Sequence, residues 1–220
     1  MSYPSVPDKK RSEGLALHGA RALSAAAVVG TITALMWVLE LVDSVSGGEL
    51  DQFGIQPHDV DDLPDIFTAP FMHGGLDHLA GNTVPFLVLG FLAAVRGIAK
   101  FFGTMLIVTV VGGLGVWFTS SANTLGSSIL IFGFFGYLLG RGLFERRVLD
   151  VVIAVGVVVV YGTLLLGVIP QDPTISWQGH LFGLIGGVLA SWLLRRSRTE
   201  SPDPRPPGPP PPGVRAPVGD

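Results

Sequence analysis

Six long apolar stretches divide this 220-residue chain, and the segments between them are polar or contain glycine and proline. The stretches cover 22–42, 72–95, 101–119, 126–140, 148–169 and 177–194. Most approach the roughly 20 residues that a helix needs to cross the hydrocarbon core of a membrane, and the fourth is clearly shorter. Charged residues make up only 14% of the chain, whereas a soluble domain has about a quarter. The sequence therefore predicts an all-α membrane protein, a bundle of six transmembrane helices.

The basic residues set the orientation of these spans. All 14 Lys and Arg residues lie in the two terminal segments or in the loops after the second and fourth spans, and the opposite loops contain none. They are Lys9, Lys10, Arg11, Arg21, Arg96, Lys100, Arg141, Arg146, Arg147, Arg195, Arg196, Arg198, Arg205 and Arg215. Loops rich in Lys and Arg stay in the cytoplasm by the positive-inside rule. We therefore expect both termini inside the cell (N-in/C-in) and the chain in the plasma (inner) membrane.

The same pattern divides the chain into three parts. Residues 1–20 form a cytoplasmic N-terminal tail, 21–196 the membrane domain with a long acidic outer loop at 43–70, and 197–220 a proline-rich cytoplasmic tail. The last of these is expected to be extended and disordered. The net charge of −3 gives no indication of nucleic-acid binding, and a chain without cysteine has no disulfide or thiolate metal site.

Polar groups are costly inside a membrane, so those within the spans are functional candidates. Their depth follows from the helical rise of about 1.5 Å per residue, counted from the basic residue at the inner end of each span. This count places Ser128 roughly 20 Å, Asn82 roughly 21 Å and His180 roughly 22 Å above the inner boundary. His78 lies higher, at about 27 Å. In a core about 30 Å thick, the first three share one level, and we expect them to converge in a cavity open to the outer side.

These residues form a set that suits acyl transfer. A serine hydroxyl is a weak nucleophile until a base takes its proton, and His180 would be the base for Ser128. The oxyanion of a tetrahedral intermediate needs donors, which His78, Asn82 and the Ser128 N–H would supply. The short fourth span fits this interpretation, because a helix that begins inside the membrane leaves free N–H groups pointing into the cavity.

Other interpretations of the same residues stay open at this point. A serine in a membrane helix usually bonds its own preceding turn or a neighbouring helix, and glycines on spans four and six also serve close helix packing. Histidines within the membrane would suit a transporter or a proton relay, although no acidic residue lies deep in the bundle. A metal site of His73, Asp77 and His78 is disfavoured, because an i, i+5 pair does not share a helical face. We expect no metal and no cofactor.

Three segments of the chain resemble those of one known family. Residues 73–82 (HGGLDHLAGN) are similar to the H-x4-H-x3-N motif of rhomboid intramembrane serine proteases. Residues 126–133 (GSSILIFG) resemble their G-x-S-G-x-x-x-G segment, and residues 179–187 (GHLFGLIGG) their A/G-H-x-x-G-x-x-x-G segment. The three motifs fall on spans two, four and six, as they do in rhomboids of the bacterial six-span type.

The resemblance implies a role for each matching residue. Ser128 would be the nucleophile and His180 the general base, a dyad without a carboxylate. His78 and Asn82 would stabilise the oxyanion, and His73 would be structural. The supporting glycines would be Gly126, Gly133, Gly183 and Gly187.

The resemblance thus predicts a serine endopeptidase that cleaves single-span membrane proteins within the lipid bilayer, near its outer face. The alternative is a catalytically inactive rhomboid-like protein that binds membrane helices. One residue departs from the family pattern, since Ile129 stands where many members have glycine directly after the nucleophile. A β-branched side chain there is expected to narrow the cavity or constrain the backbone near the oxyanion site. Glycine in its place is expected to preserve or raise activity.

Overall fold

The computed structural model describes residues 12–170 and 175–195 with their side chains, and the backbone alone for 7–11. Its helices are α1 (Pro7–Ser46), α2 (Leu76–Ala94), α3 (Ile98–Thr119), α4 (Ser128–Phe144), α5 (Val148–Tyr161) and α6 (Trp177–Leu193). These residues contain no strand, only an isolated bridge between Ile55 and Thr124. The prediction of an all-helical chain is confirmed. The predicted proline-rich tail at 197–220 lies outside the described residues.

Four segments are long and apolar enough to cross a membrane, judged by length and composition within the described part of the chain. They are Ser12–Ser46, Leu76–Ala94, Ile98–Thr119 and Val148–Val168, the last of which joins α5 to the 3-10 segment Gly162–Val168. The helices α4 and α6 have only 17 residues each. The apolar helices indicate an integral membrane protein, while the count of six spans and the N-in/C-in orientation stay predictions.

Helix α2 begins at Leu76, four residues later than the second apolar stretch of the sequence. The preceding Gly75 has a φ of +128°, a conformation open to glycine and strained for other residues, and the helix cannot extend back through it. His73 therefore precedes the helix instead of standing on it. Helix α4 likewise begins at Ser128 and not at Gly126.

Helix α4 is the central element of the bundle, and its side chains are buried almost without interruption from Ile129 to Arg141. It packs on α6 closely enough to exclude side chains at two positions of α6. A Cβ atom on Gly183 would lie 2.5 Å from the Ile129 carbonyl oxygen, and one on Gly187 would overlap the carbonyl of Gly133. Such backbone-to-backbone contact through small residues is typical of membrane helices, whose association depends on close packing.

Ion pairs join three helices at the end of the bundle that carries the basic loops. The carboxylate of Asp150, in the first turn of α5, lies 2.8 Å from Nη2 of Arg96, which follows α2. The same oxygen lies 3.2 Å from Nη2 of Arg141 on α4, and Arg141 also pairs with Glu145 at 3.3 Å. The ends of α2, α4 and α5 are thus tied together by buried charges.

The loop between α1 and α2 folds against the segment 120–125, which leads into α4. The Ile55 N–H donates to the Thr124 carbonyl at 2.8 Å, and the Asn123 amide donates to the Asp51 carbonyl at 2.9 Å. Ile66 packs on α3 where Gly113 leaves room for it. These contacts fix the path of the chain immediately before Ser128.

Candidate active site

A cavity of about 880 Å³ opens at the end of the bundle opposite the basic loops. Four residues singled out in the sequence line it together: His78 and Asn82 from α2, Ser128 from α4 and His180 from α6. The rest of its wall comes from Gly74, the segment 120–125, Pro170 and residues 175–178. The structure therefore brings together the candidate nucleophile, the candidate base and both candidate oxyanion donors.

Ser128 is the first residue of α4, and the chain reaches it through Gly126. The φ of Gly126 is +123°, and a Cβ atom there would lie 2.7 Å from Cε1 of His78. Glycine is therefore required at 126 both by the backbone and by the side chain beside it. The N–H of Ile131 donates to the Ser127 carbonyl at 2.9 Å as the first bond of the helix. The N–H groups before it have no acceptor within the helix, as at any helix start.

His180 is held on two sides by neighbouring groups. Its Nδ1 lies 2.9 Å from the Gly167 carbonyl oxygen in the 3-10 segment that follows α5. Its ring stacks on Phe132 of α4 with the ring centroids 4.0 Å apart and the planes within 5° of parallel. No hydrogen bond joins His180 to the Ser128 hydroxyl in the part of the chain that the structure describes. No motif of the sequence points to Gly167, whereas Phe132 stands four residues after Ser128 and so on the same face of α4.

Asn82 and His78 lie one helical turn apart on α2 and face the start of α4. The side-chain nitrogen Nδ2 of Asn82 is buried and has no hydrogen-bond partner. It would lie 3.8 Å from a Cβ atom on Gly126, so it is close to the backbone that precedes Ser128. Buried hydrogen-bond donors in native proteins nearly always have an acceptor. The Asn82 amide is an exception, so it is available to donate to a group that binds beside it.

His73 lies behind the cavity wall and not on it. Its Nε2 accepts a hydrogen bond from the backbone N–H of Ser127 at 3.3 Å, and the Ser127 hydroxyl lies 3.1 Å from the same atom. Both residues are buried, and the His73 ring meets the His78 ring edge-on at 5.2 Å. Ser127 is thus turned towards His73, while its neighbour Ser128 faces the cavity.

The side chain of Ile129 does not line the cavity, so the expectation that it narrows the cavity is wrong. It is 1% exposed and packs between α3 and α6, against Gly112, Gly179 and Gly183. Ile129 follows Ser128 by one residue, which turns its side chain about 100° round the helix from the cavity.

No three metal-ligating side chains come together within residues 12–170 and 175–195. The residues that line the cavity in this described part include no Asp, Glu, Lys or Arg. The chemistry available there rests on hydroxyls, of which that of Ser128 is at the start of α4, on two imidazoles, and on amide and backbone groups.

Comparison with known proteins identifies relatives of most of the chain. The model of the rhomboid domain matches residues 61–197. The uncharacterized protein Rv1337 of Mycobacterium tuberculosis is 42% identical over 174 residues, which cover 74% of this chain and 72% of that protein. YdcA of Bacillus subtilis, whose name describes it as a candidate rhomboid protease, is 29% identical over 132 residues, or 58% of this chain and 65% of YdcA.

Proposed function

The chain belongs to the rhomboid family, and on that premise we propose that it is an intramembrane serine endopeptidase with Ser128 and His180 as its catalytic dyad. One observation carries the proposal: these two residues line one cavity with Asn82, whose side-chain nitrogen Nδ2 is a buried donor without a partner. An unpaired buried donor is costly in the resting protein, and the oxyanion of acyl transfer would satisfy it.

The reaction would proceed in two halves. In the first, Oγ of Ser128 attacks the scissile carbonyl carbon while Nε2 of His180 takes the hydroxyl proton. The intermediate collapses as the C–N bond breaks and His180 gives that proton to the leaving amine. In the second half, a water molecule loses a proton to His180 and attacks the acyl-enzyme, and the proton returns to Ser128. The amide of Asn82, the imidazole of His78 and the Ser128 N–H would stabilise the oxyanion in both halves.

The substrates would be single-span membrane proteins cut near the outer face of the plasma membrane. Two features support that side: the cavity lies at the end of the bundle away from the basic loops, and the positive-inside rule assigns those loops to the cytoplasm. An intact helix hides its carbonyl groups in its own hydrogen bonds, so residues that break the substrate helix near the cut should favour cleavage.

A second candidate function is that of an inactive relative that binds membrane helices without cutting them. It is favoured by the absence of a hydrogen bond between Ser128 and His180 in the described residues. Catalytic hydrogen bonds are often long in proteins without substrate and tighten when it binds, so the separation by itself does not decide between the two functions.

The deciding experiment combines a fluorophosphonate probe with cleavage of a reporter span by detergent-solubilised protein. We expect the wild type to be labelled and to cleave, Ser128→Ala to lose both, and His180→Ala to lose at least about 1000-fold in cleavage. The double variant should be little worse than either single one, because both changes remove the same proton-transfer route.

Ser127→Ala is the matched control, since Ser127 has the same hydroxyl but directs it to His73. It should keep most of the activity, because the Ser127 N–H still donates to the His73 ring. If the wild type is neither labelled nor active but crosslinks to a membrane helix, the protein is the inactive helix-binding relative and not a protease.

A further inference from the structure

The tautomer of His180 follows from a single contact. A carbonyl oxygen only accepts hydrogen bonds, so the 2.9 Å contact with the Gly167 oxygen requires the proton of neutral His180 to be on Nδ1. Nε2 then carries the free lone pair. A general base needs that lone pair to take a proton from Ser128.

No carboxylate in the described part of the cavity can replace this carbonyl. The cavity lining there has no carboxylate, and His78 is the other titratable group that faces the cavity. From α4, Phe132 contacts the face of the His180 ring and not its edge. The 3-10 segment after α5 thus supplies the in-plane acceptor for Nδ1.

Gly167 also lies too close to the ring to carry a side chain. A Cβ atom on Gly167 would be 2.9 Å from Nδ1 of His180 and 3.1 Å from Cζ of Phe132. The ring cannot move away freely, because Phe132 lies parallel to it at 4.0 Å. Any side chain at 167 would therefore displace either the imidazole or the 3-10 segment.

We infer that the backbone carbonyl of Gly167 positions His180 for catalysis. Ser128, His180 and this carbonyl then form a triad in which the group that orients the histidine is a main-chain atom. Gly167 is a positioning residue and does not touch the substrate. The inference rests on the proposed protease function, and it gives the Gly167 carbonyl, near the end of the 3-10 segment, a part in that function.

The first test compares Gly167→Ala with Gly162→Ala. Both add one methyl group within the same 3-10 segment, but the Cβ atom at 162 would meet its nearest neighbour, Cγ1 of Val158, at 3.7 Å, an ordinary contact. We expect Gly167→Ala to lower kcat by about 10–100-fold with little change in KM, and Gly162→Ala to retain wild-type kcat. Equal kcat values for the two variants would overturn the inference.

A second variant avoids added atoms, in case Gly167→Ala does not fold. Incorporating the α-hydroxy acid analogue of valine at 168 turns the Gly167 carbonyl into an ester carbonyl, which is a weaker acceptor. The matched control is the leucine analogue at 166, which removes an N–H from the same segment and leaves the Gly167 carbonyl as an amide. We expect kcat to fall for the ester at 168 relative to the ester at 166, and the inference fails if it does not.

The state of His180 can be read without any turnover. Nitrogen NMR of protein labelled in its histidine rings, assigned by comparison with His180→Gln, reports which ring nitrogen carries the proton. We expect the Nδ1–H form in the wild type and in Gly162→Ala, and a mixture of tautomers in Gly167→Ala. Nδ1–H in an inactive wild type would refute the protease but support the positioning contact, whereas Nε2–H in an active wild type would refute the contact alone.

Discussion

The side chain of Ile129 occupies the space that Gly112 leaves open on the facing helix α3. A Cβ atom on Gly112 would lie 2.7 Å from Cγ2 of Ile129, and one on Gly179 of α6 would lie 3.0 Å from Cγ1 of the same side chain. The isoleucine that departs from the family pattern is thus accommodated by glycines on two neighbouring helices. It acts as a packing residue between α3, α4 and α6, on the side of α4 away from the cavity.

Ile129→Gly should therefore lower stability and leave kcat unchanged, which is the first of the two outcomes expected from the family pattern, preserved activity and not a gain. The change removes a buried side chain and leaves an unfilled space, in addition to the cost of about 1 kcal/mol for glycine in a helix. Leu143→Gly is the matched control, because Leu143 is on the same helix and 65% exposed. Thermal unfolding in detergent should show a larger drop for Ile129→Gly. A higher kcat with an unchanged unfolding temperature would mean that Ile129 restrains the catalytic site.

The sequence was sufficient for the helices and for the four residues around the cavity, because both depend on local properties. Apolar runs determine where helices can lie in a membrane, and helical rise alone puts Ser128, Asn82 and His180 at one depth. The apolar pattern wrongly puts His73 on the second helix, because composition does not reveal that the backbone of Gly75 interrupts that helix.

Contacts between distant parts of the chain were beyond the sequence pattern. The pairing of Ile55 with Thr124 and the contact of His180 with Gly167 depend on how loops fold over the bundle. Successive residues of a helix are about 100° apart, so the direction of the Ile129 side chain follows once Ser128 is known to face the cavity. The sequence alone does not show which way Ser128 faces.

The ion pairs at the end of the bundle that carries the basic loops should matter for stability and not for catalysis. Asp150→Asn removes the carboxylate shared by Arg96 and Arg141, and breaking a buried ion pair by removing one partner costs about 3–5 kcal/mol. We expect a clearly lower unfolding temperature, with kcat retained below it. Asp77→Asn, an exposed carboxylate in the first turn of α2, is the control and should cost about 1 kcal/mol or less. Similar shifts for the two variants would show that the buried pairs add nothing to stability.

The loop between α1 and α2 should make a pH-dependent contribution to stability through Asp51. Burial, and then the nearby carboxylate of Asp43, raise the pKa of Asp51 above its ordinary value of 3.8. The folded protein therefore favours the protonated form, and its contribution to stability is present below about pH 4 and is lost as the pH rises through the raised pKa. Asp51→Asn should stabilise the protein at neutral pH, with a difference from wild type that disappears in acid.

Unfolding measured from pH 3 to pH 8 in both proteins tests this expectation. The substitution keeps the backbone carbonyl that accepts from Asn123, so that contact is preserved. Asp61→Asn, in an exposed part of the same loop, controls for the loss of one negative charge. A difference that stayed constant with pH would exclude titration of Asp51 as its cause.

The orientation in the membrane can be tested with single cysteines, because the chain has none of its own. Asp61→Cys lies in the loop between α1 and α2, and Ala99→Cys lies beside the basic residues at the start of α3; both positions are exposed. An impermeant maleimide added to intact cells should label position 61 and leave position 99 unlabelled until the membrane is opened. Labelling of 99 alone would reverse the orientation and put the cavity on the cytoplasmic side.

The unpartnered amide of Asn82 leads to the sharpest distinction between a catalytic and a packing role. If Nδ2 of Asn82 donates to the oxyanion, Asn82→Asp should lower kcat by about 10–1000-fold with a small change in KM, because it replaces the donor by an oxygen of equal size. Asn82→Ala should also lower kcat, and it should keep or raise the unfolding temperature, since it removes a buried donor that has no partner in the resting protein.

Thr83→Ala is the matched control on the next residue of α2, because the Thr83 hydroxyl forms hydrogen bonds within the protein, with the Leu79 carbonyl and the Trp37 ring nitrogen. It should show the opposite result, a lower unfolding temperature with an unchanged kcat. If both Asn82 variants kept wild-type kcat and unfolded at a lower temperature, Asn82 would be a packing residue, and the oxyanion would depend on His78 and the start of α4.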